Sequence, residues 1–126
     1  MTGEREDAKK ILYVDDEQGL ALLGEEFLGD LGYQVTCAFG GEEAWKAFEQ
    51  EAFRFDLVVT DESMPGMSGI ELAHKIYLSA PQVPVILCSG HMLSMEEAGM
   101  EQTNIVATLL KTDVCVKLPN LLEKFI

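Results

Sequence analysis

The stretch Asp56-Leu57-Val58-Val59-Thr60-Asp61-Glu62-Ser63-Met64-Pro65-Gly66-Met67-Ser68-Gly69 narrows the possible folds more than any other part of the chain. Leu57, Val58 and Val59 show no polar alternation, which suits a strand covered on both faces. The run ends on the carboxylate of Asp61 and passes straight into a Pro/Gly turn. Open α/β sheets place their ligand sites at such carboxyl ends. A strand-ending Asp is ordinarily a turn residue, so the rest of the chain must decide whether Asp61 is one.

Repetition of the same unit settles the fold class. Apolar runs at Ile11–Val14, Tyr33–Ala38, Val85–Cys88 and Ile105–Leu110 read as four further strands. Between them lie helical patterns. Gln18–Leu31 carries Leu20, Leu23, Phe27 and Leu31 at three- and four-residue spacing, with Gly32 where a C-terminal cap glycine belongs. Glu42–Glu49 turns Ala44, Ala47 and Phe48 inward, and a helix after Gly69, running to about Ser79, turns Ile70, Ala73, Ile76 and Tyr77 inward. Met92–Met100 permits a helix that Gly99 ends early, and a last short helix is expected from about Pro119, with Leu121, Leu122 and Phe125 buried. Strands alternating with about five helices predict an α/β fold: one doubly wound, five-stranded parallel sheet of order 2-1-3-4-5. Residues 1–9 read as a polar leader or linker and 10–126 as the domain.

Composition removes several functions. A formal charge of −13, with nine scattered Lys and Arg residues, argues against direct contact with nucleic acid or an anionic membrane. No apolar run approaches a membrane span, and the leader is too polar for a signal peptide, so a soluble, cytoplasmic protein is expected. Cys37, Cys88 and Cys115 are odd in number and far apart, which supports reduced thiols in place of a zinc site or a disulfide framework.

In a 2-1-3-4-5 sheet, the carboxyl ends of strands 1, 3, 4 and 5 meet on one rim, carrying Asp15 and Asp16, Asp61, Ser89 and Lys111. Each residue alone has an ordinary reading: a helix-capping acid pair, a Ser-Gly turn, a solvated lysine. Together they point elsewhere. Three close carboxylates raise one another's pKa unless a cation shares them, and an all-oxygen set without His or Cys favours Mg²⁺. Lys111 and Ser89 could then meet phosphoryl oxygens, with Asp61 as a carboxylate nucleophile.

These residues carry a resemblance. Ile11-Leu12-Tyr13-Val14-Asp15-Asp16-Glu17, Asp61-x-x-Met64-Pro65-x-Met67-x-Gly69, Ser89-Gly90 and Lys111 resemble the motifs of response-regulator receiver domains in two-component signalling, over about Lys10 to Ile126. The resemblance implies that Asp61 is the phosphoacceptor and that Ser89 and Lys111 contact the phosphoryl group. It also implies that Asp15, Asp16, Asp61 and the backbone carbonyl of Ser63 hold Mg²⁺, or Mn²⁺ in its place. The implied donor is the phosphohistidine of a histidine kinase or a histidine phosphotransfer protein. A downstream protein target and a homodimer are further implied partners, and the chain is expected to be a phosphorelay domain, not an enzyme with a substrate of its own. It could stand alone or belong to a hybrid histidine kinase.

Two residues depart from the family pattern, both on the strand-5 side. Thr112 follows Lys111 where receivers usually carry Pro, so a trans bond is expected there. Thr108 stands where an aromatic ring is common, which is expected to weaken the rearrangement of strand 4, the following helix and strand 5 on phosphorylation. The competing readings are a pseudo-receiver that binds partners constitutively, and a Mg²⁺-dependent phosphohydrolase. The latter typically carries an acid/base Asp two residues after its nucleophile, where this chain has Ser63. His74 and His91 are expected to be surface or rim residues, with His91 able to affect water access to the phosphoryl group.

Overall fold

Five parallel strands, β1 (Lys10–Val14), β2 (Gln34–Ala38), β3 (Leu57–Asp61), β4 (Val85–Ser89) and β5 (Ile105–Leu110), line up in the order β2-β1-β3-β4-β5 in the computed structural model. It describes residues 8–50, 55–91 and 103–126. The helix expected over Met92–Met100 lies outside the described residues; those contain α1 (Gln18–Asp30), α2 (Gly41–Gln50), α3 (Gly69–Ser79) and α4 (Val114–Phe125).

Every residue of β3 and β4 is buried, as unalternating apolar strands require when helices cover both faces. Side-chain alternation then divides the core in two. Leu12, Val14, Val58, Val85 and Leu87 face α2 and α3, where Phe48, Leu72 and Ile76 complete one cluster. Ile11, Tyr13, Leu57, Val59, Ile86 and Cys88 face the other way, toward Leu28 of α1 and Leu118 and Leu122 of α4.

The turns follow local chemistry. Helix α1 ends in a Schellman motif: Tyr33 N–H donates to the Leu28 carbonyl at 3.2 Å and Gly32 N–H to that of Gly29 at 3.0 Å, with Gly32 at φ +102°. Helix α3 starts in a capping box, in which Ser68 Oγ accepts Glu71 N–H at 3.1 Å and Glu71 Oε1 accepts Ser68 N–H at 3.0 Å.

Three expectations need correction. The buried side of α1 is Ala21, Gly24 and Leu28; Leu20, Leu23 and Leu31 are 41, 63 and 50 % exposed. The Tyr13 ring occupies the space beneath the helix, and a Cβ at Gly24 would lie 2.5 Å from its Cζ. Small residues therefore mark the sheet side, and the leucines flank it. On α3, Tyr77 lies on the exposed side and Leu72 takes the buried position beside Ala73 and Ile76. The last helix begins at Val114, not near Pro119, which sits inside it. Buried Leu118 and Leu122, one turn apart, hold that face to the sheet. The proline removes only the N–H that would have met the carbonyl of solvent-exposed Cys115.

Candidate functional site

The switch point of the sheet lies between β1 and β3, and both strands end there in acids. Asp15 and Asp61 are each 4 % exposed, while Asp16 is exposed. One carboxylate oxygen from each of Asp15, Asp16 and Asp61 falls within 4.8 Å of the others. Lys111, just beyond β5, brings its Nζ to 3.1 Å from Asp61 Oδ2 and 3.5 Å from Asp15 Oδ2. The rim predicted for strands 1, 3 and 5 is thus brought together.

The acids do not cap α1. Glu17 takes the N-cap position without a side-chain cap bond, and Asp15 Oδ1 accepts the Glu17 N–H at 2.9 Å, which leaves Asp15 Oδ2 toward the lysine. Ser63 follows the strand end, exposed, with its N–H 3.4 Å from Asp61 Oδ1. Behind Asp61 the chain is pinned at Glu62, whose N–H donates to the Cys88 carbonyl at 2.8 Å and whose carbonyl accepts Gly69 N–H at 3.0 Å. A Cβ at position 69 would lie 2.2 Å from the Asp61 carbonyl oxygen. The loop closes this tightly only because residue 69 is glycine, which gives the last residue of the Asp61–Gly69 motif a steric reason.

Electrostatics favour a shared cation. Burial raises the Asp61 pKa most; the Lys111 hydrogen bond and charge pull it back, nearby Asp15 pushes it up again, and the net shift is upward. Burial works against the Lys111 ammonium, but the hydrogen bond and charge of Asp61, with Asp15, outweigh it and hold its pKa above the ordinary lysine value. One lysine does not neutralise three carboxylates. Hard oxygen donors at this spacing suit a divalent cation of the Mg²⁺ type, which keeps several waters and meets phosphate readily.

Ser89 is buried at the end of β4, one residue past Cys88, the ladder partner of Asp61. Its Oγ is engaged by His91. Thr112 enters a 3-10 turn, Lys111–Asp113, that leads into α4, and no described peptide bond is cis. Thr108 is half-buried on β5 opposite Leu87, beside a groove lined by Leu121 and Lys124 of α4.

Sequence reasoning missed two features. Glu17 Oε1 lies 3.8 Å from Lys111 Nζ, a third acid around that lysine; unlike Asp15 and Asp16, Glu17 carries no sign of a site role in the sequence beyond closing an acidic run ahead of a helix. A cavity of about 150 Å³ lies under α1 between Tyr13, Leu20, Leu23 and Phe27, and Asp15, Asp61 and Lys111 also line it. Its signal was Gly24, a glycine inside a helix where nothing else called for one. Cys88 also lines the cavity; burial first, then the charges of Asp61 and Asp15, push its thiol up to about 12, so it stays protonated.

The family model described as "Response regulator receiver domain" matches residues 11–123. The chain is 32 % identical over 109 residues to Sensor protein GacS of Pseudomonas syringae pv. syringae, covering 82 % of this chain and 12 % of that protein. It is 35 % identical over 83 residues to Sporulation initiation phosphotransferase F of Bacillus subtilis, covering 66 % of this chain and 65 % of that one. A solved structure of response regulator protein TrrA from Thermotoga maritima, in complex with Mg(2+)-BeF, superposes with TM-score 0.81 at 31 % identity, covering 94 % of this chain and 99 % of that one. The chain thus spans less than two thirds of these curated relatives.

Proposed function

The chain belongs to the response-regulator receiver family, and from that premise we propose that Asp61 accepts a phosphoryl group from a phosphohistidine in a Mg²⁺-dependent transfer. One observation carries this reading: a buried carboxylate at the end of β3 touches a lysine at 3.1 Å while two further aspartates converge on it. An Asp61 oxygen attacks the phosphorus as the phosphorus–nitrogen bond to the donor imidazole breaks. Lys111 stands where a phosphoryl oxygen gains charge, and Ser89 donates to another. The fixed rim supplies positioning and charge neutralisation, the main sources of rate in phosphoryl transfer. Asp15, Asp16, Asp61 and the Ser63 carbonyl would hold the cation, Mg²⁺ or Mn²⁺, which when bound neutralises phosphoryl charge.

The donor is a histidine kinase or a histidine phosphotransfer protein. The similarity to a sensor protein and to a phosphotransferase supports that class of partner. Output passes through β4, β5 and the segment between them to a protein target or a second copy of the chain. No described helix is long and apolar enough to cross a membrane, which agrees with action in the cytoplasm.

Incubation with acetyl phosphate and Mg²⁺ tests the assignment. The expected result is one added phosphoryl group by intact mass on the wild type and none on Asp61→Ala. No gain on the wild type, or an equal gain on the variant, overturns it. Turnover of small phosphate esters beyond one equivalent would instead indicate a phosphohydrolase.

A further inference from the structure

The hydroxyl of Ser89 is already engaged within the chain. Ser89 is 3 % exposed, its Oγ accepts the backbone N–H of His91 at 3.2 Å, and the same oxygen lies 3.4 Å from His91 Nδ1. A hydroxyl has one proton to give and two lone pairs. The backbone N–H takes one lone pair. When the imidazole carries its proton on Nε2, Nδ1 is an acceptor, and the single Ser89 proton points at it. That is the proton a phosphoryl oxygen on Asp61 would need.

We propose that His91 is a positioning residue: it holds the Ser89 hydroxyl proton in the unphosphorylated protein, and phosphorylation must break that bond before Ser89 can donate to the phosphoryl group. The proposal rests on the reading of Asp61 as phosphoacceptor. Its consequence is an opposing contact built into the site. His91 stabilises the resting state by what one hydrogen bond contributes, and the phosphorylated state forms against it. Loss of the ring therefore favours the phosphorylated form, the reverse of what loss of a supporting residue does.

Binding of beryllofluoride with Mg²⁺, measured by calorimetry, provides the test. His91→Ala should bind about two- to tenfold more tightly than wild type, the factor expected of one net hydrogen bond. In a Ser89→Ala background the same change should have no effect. His91→Asn, whose Oδ1 can take the place of Nδ1 as acceptor, should restore wild-type affinity. Nitrogen NMR of the wild-type imidazole should show Nδ1 as the unprotonated, hydrogen-bonded nitrogen, and its signal should move in Ser89→Ala. Equal or weaker binding by His91→Ala, tightening that persists without Ser89, or an Nδ1 signal blind to Ser89→Ala overturns the role of His91 while leaving Asp61 as phosphoacceptor. Failure of the wild type to bind beryllofluoride removes the Asp61 reading, and this proposal with it.

Discussion

The two faces of the sheet are built to different tolerances. On the α2/α3 side, Phe48 is fully buried and stacks between Trp45 and Phe55 at centroid distances of 6.0 and 6.1 Å. Lys75 lies 5.2 Å over the Trp45 ring, so even the rim of that interface is occupied. On the α1/α4 side a cavity remains, three leucines of α1 stand half-exposed, and the helix is held over Tyr13 by the absence of a side chain at Gly24. Asp61 ends the strand between these faces. The closed face fixes the backbone that carries the acid, and the looser one leaves space beside the carboxylate.

The largest effect should mark the closed face. Phe48→Ala should cost about 3–5 kcal/mol in denaturant unfolding, whereas Phe27→Ala, at the cavity, should cost about half as much or less. Equal losses would remove the contrast.

The acid cluster between the faces comes next. Ionised Asp61 has a raised folded pKa, so the stability linked to it is present at low pH and lost as pH rises through that value. At neutral pH with a chelator, Asp61→Asn should therefore be more stable than wild type, by about 0.5–2 kcal/mol. The difference should shrink as pH falls into the carboxylate range. Saturating Mg²⁺ should reverse the order, since a cation at about a hundred times its Kd stabilises the wild type by about 2.7 kcal/mol. Thermal melts at two pH values, with chelator and with Mg²⁺, read all of this.

Two glycines give the sharpest pairing. A methyl at Gly69 meets the Asp61 carbonyl, which is backbone, whereas a methyl at Gly24 meets the end of a tyrosine ring that has a cavity beside it. Gly69→Ala should cost about 1–3 kcal/mol and slow phosphoryl uptake because it moves Asp61. Gly24→Ala should cost less and leave uptake intact. The smallest effect belongs to the surface: Leu23→Ser should stay within about 0.5 kcal/mol, and a larger loss would show that the exposed leucines of α1 are part of the core.

What the sequence disclosed divides along the same line. Strand order, the burial of β3 and β4 and the acid rim follow from unbroken apolar runs that end in charge, a pattern with few structural alternatives. On α1, hydrophobic periodicity weights Leu20, Leu23 and Leu31, whereas close approach to Tyr13 selects Ala21 and Gly24. Pro119 suits a first helical turn, which sets the expected start of α4 too late in the chain. The helix instead begins five residues earlier, at Val114, and tolerates the one N–H that Pro119 lacks, whose partner would be the carbonyl of Cys115, an exposed residue. The Ser89–His91 contact had no sequence signal beyond proximity, since a two-residue spacing in a loop fixes no geometry.

The ladders have a consequence for the order in which the molecule assembles. All four are parallel, so no two strands can zip together from a hairpin, and even Val85 and Ile105 must meet across a long intervening segment. The pairing that unites the aspartates joins Ile11 to Leu57, with α1, β2 and α2 between them in the chain. Closing that loop demands entropy before any contact repays it, which places folding among the slower topologies. The acid pocket is therefore a product of long-range docking. Asp15 and Asp61 have no shared site until β1 and β3 lie side by side, so a cation held between them acts on the finished sheet and slows its opening more than it hastens its formation.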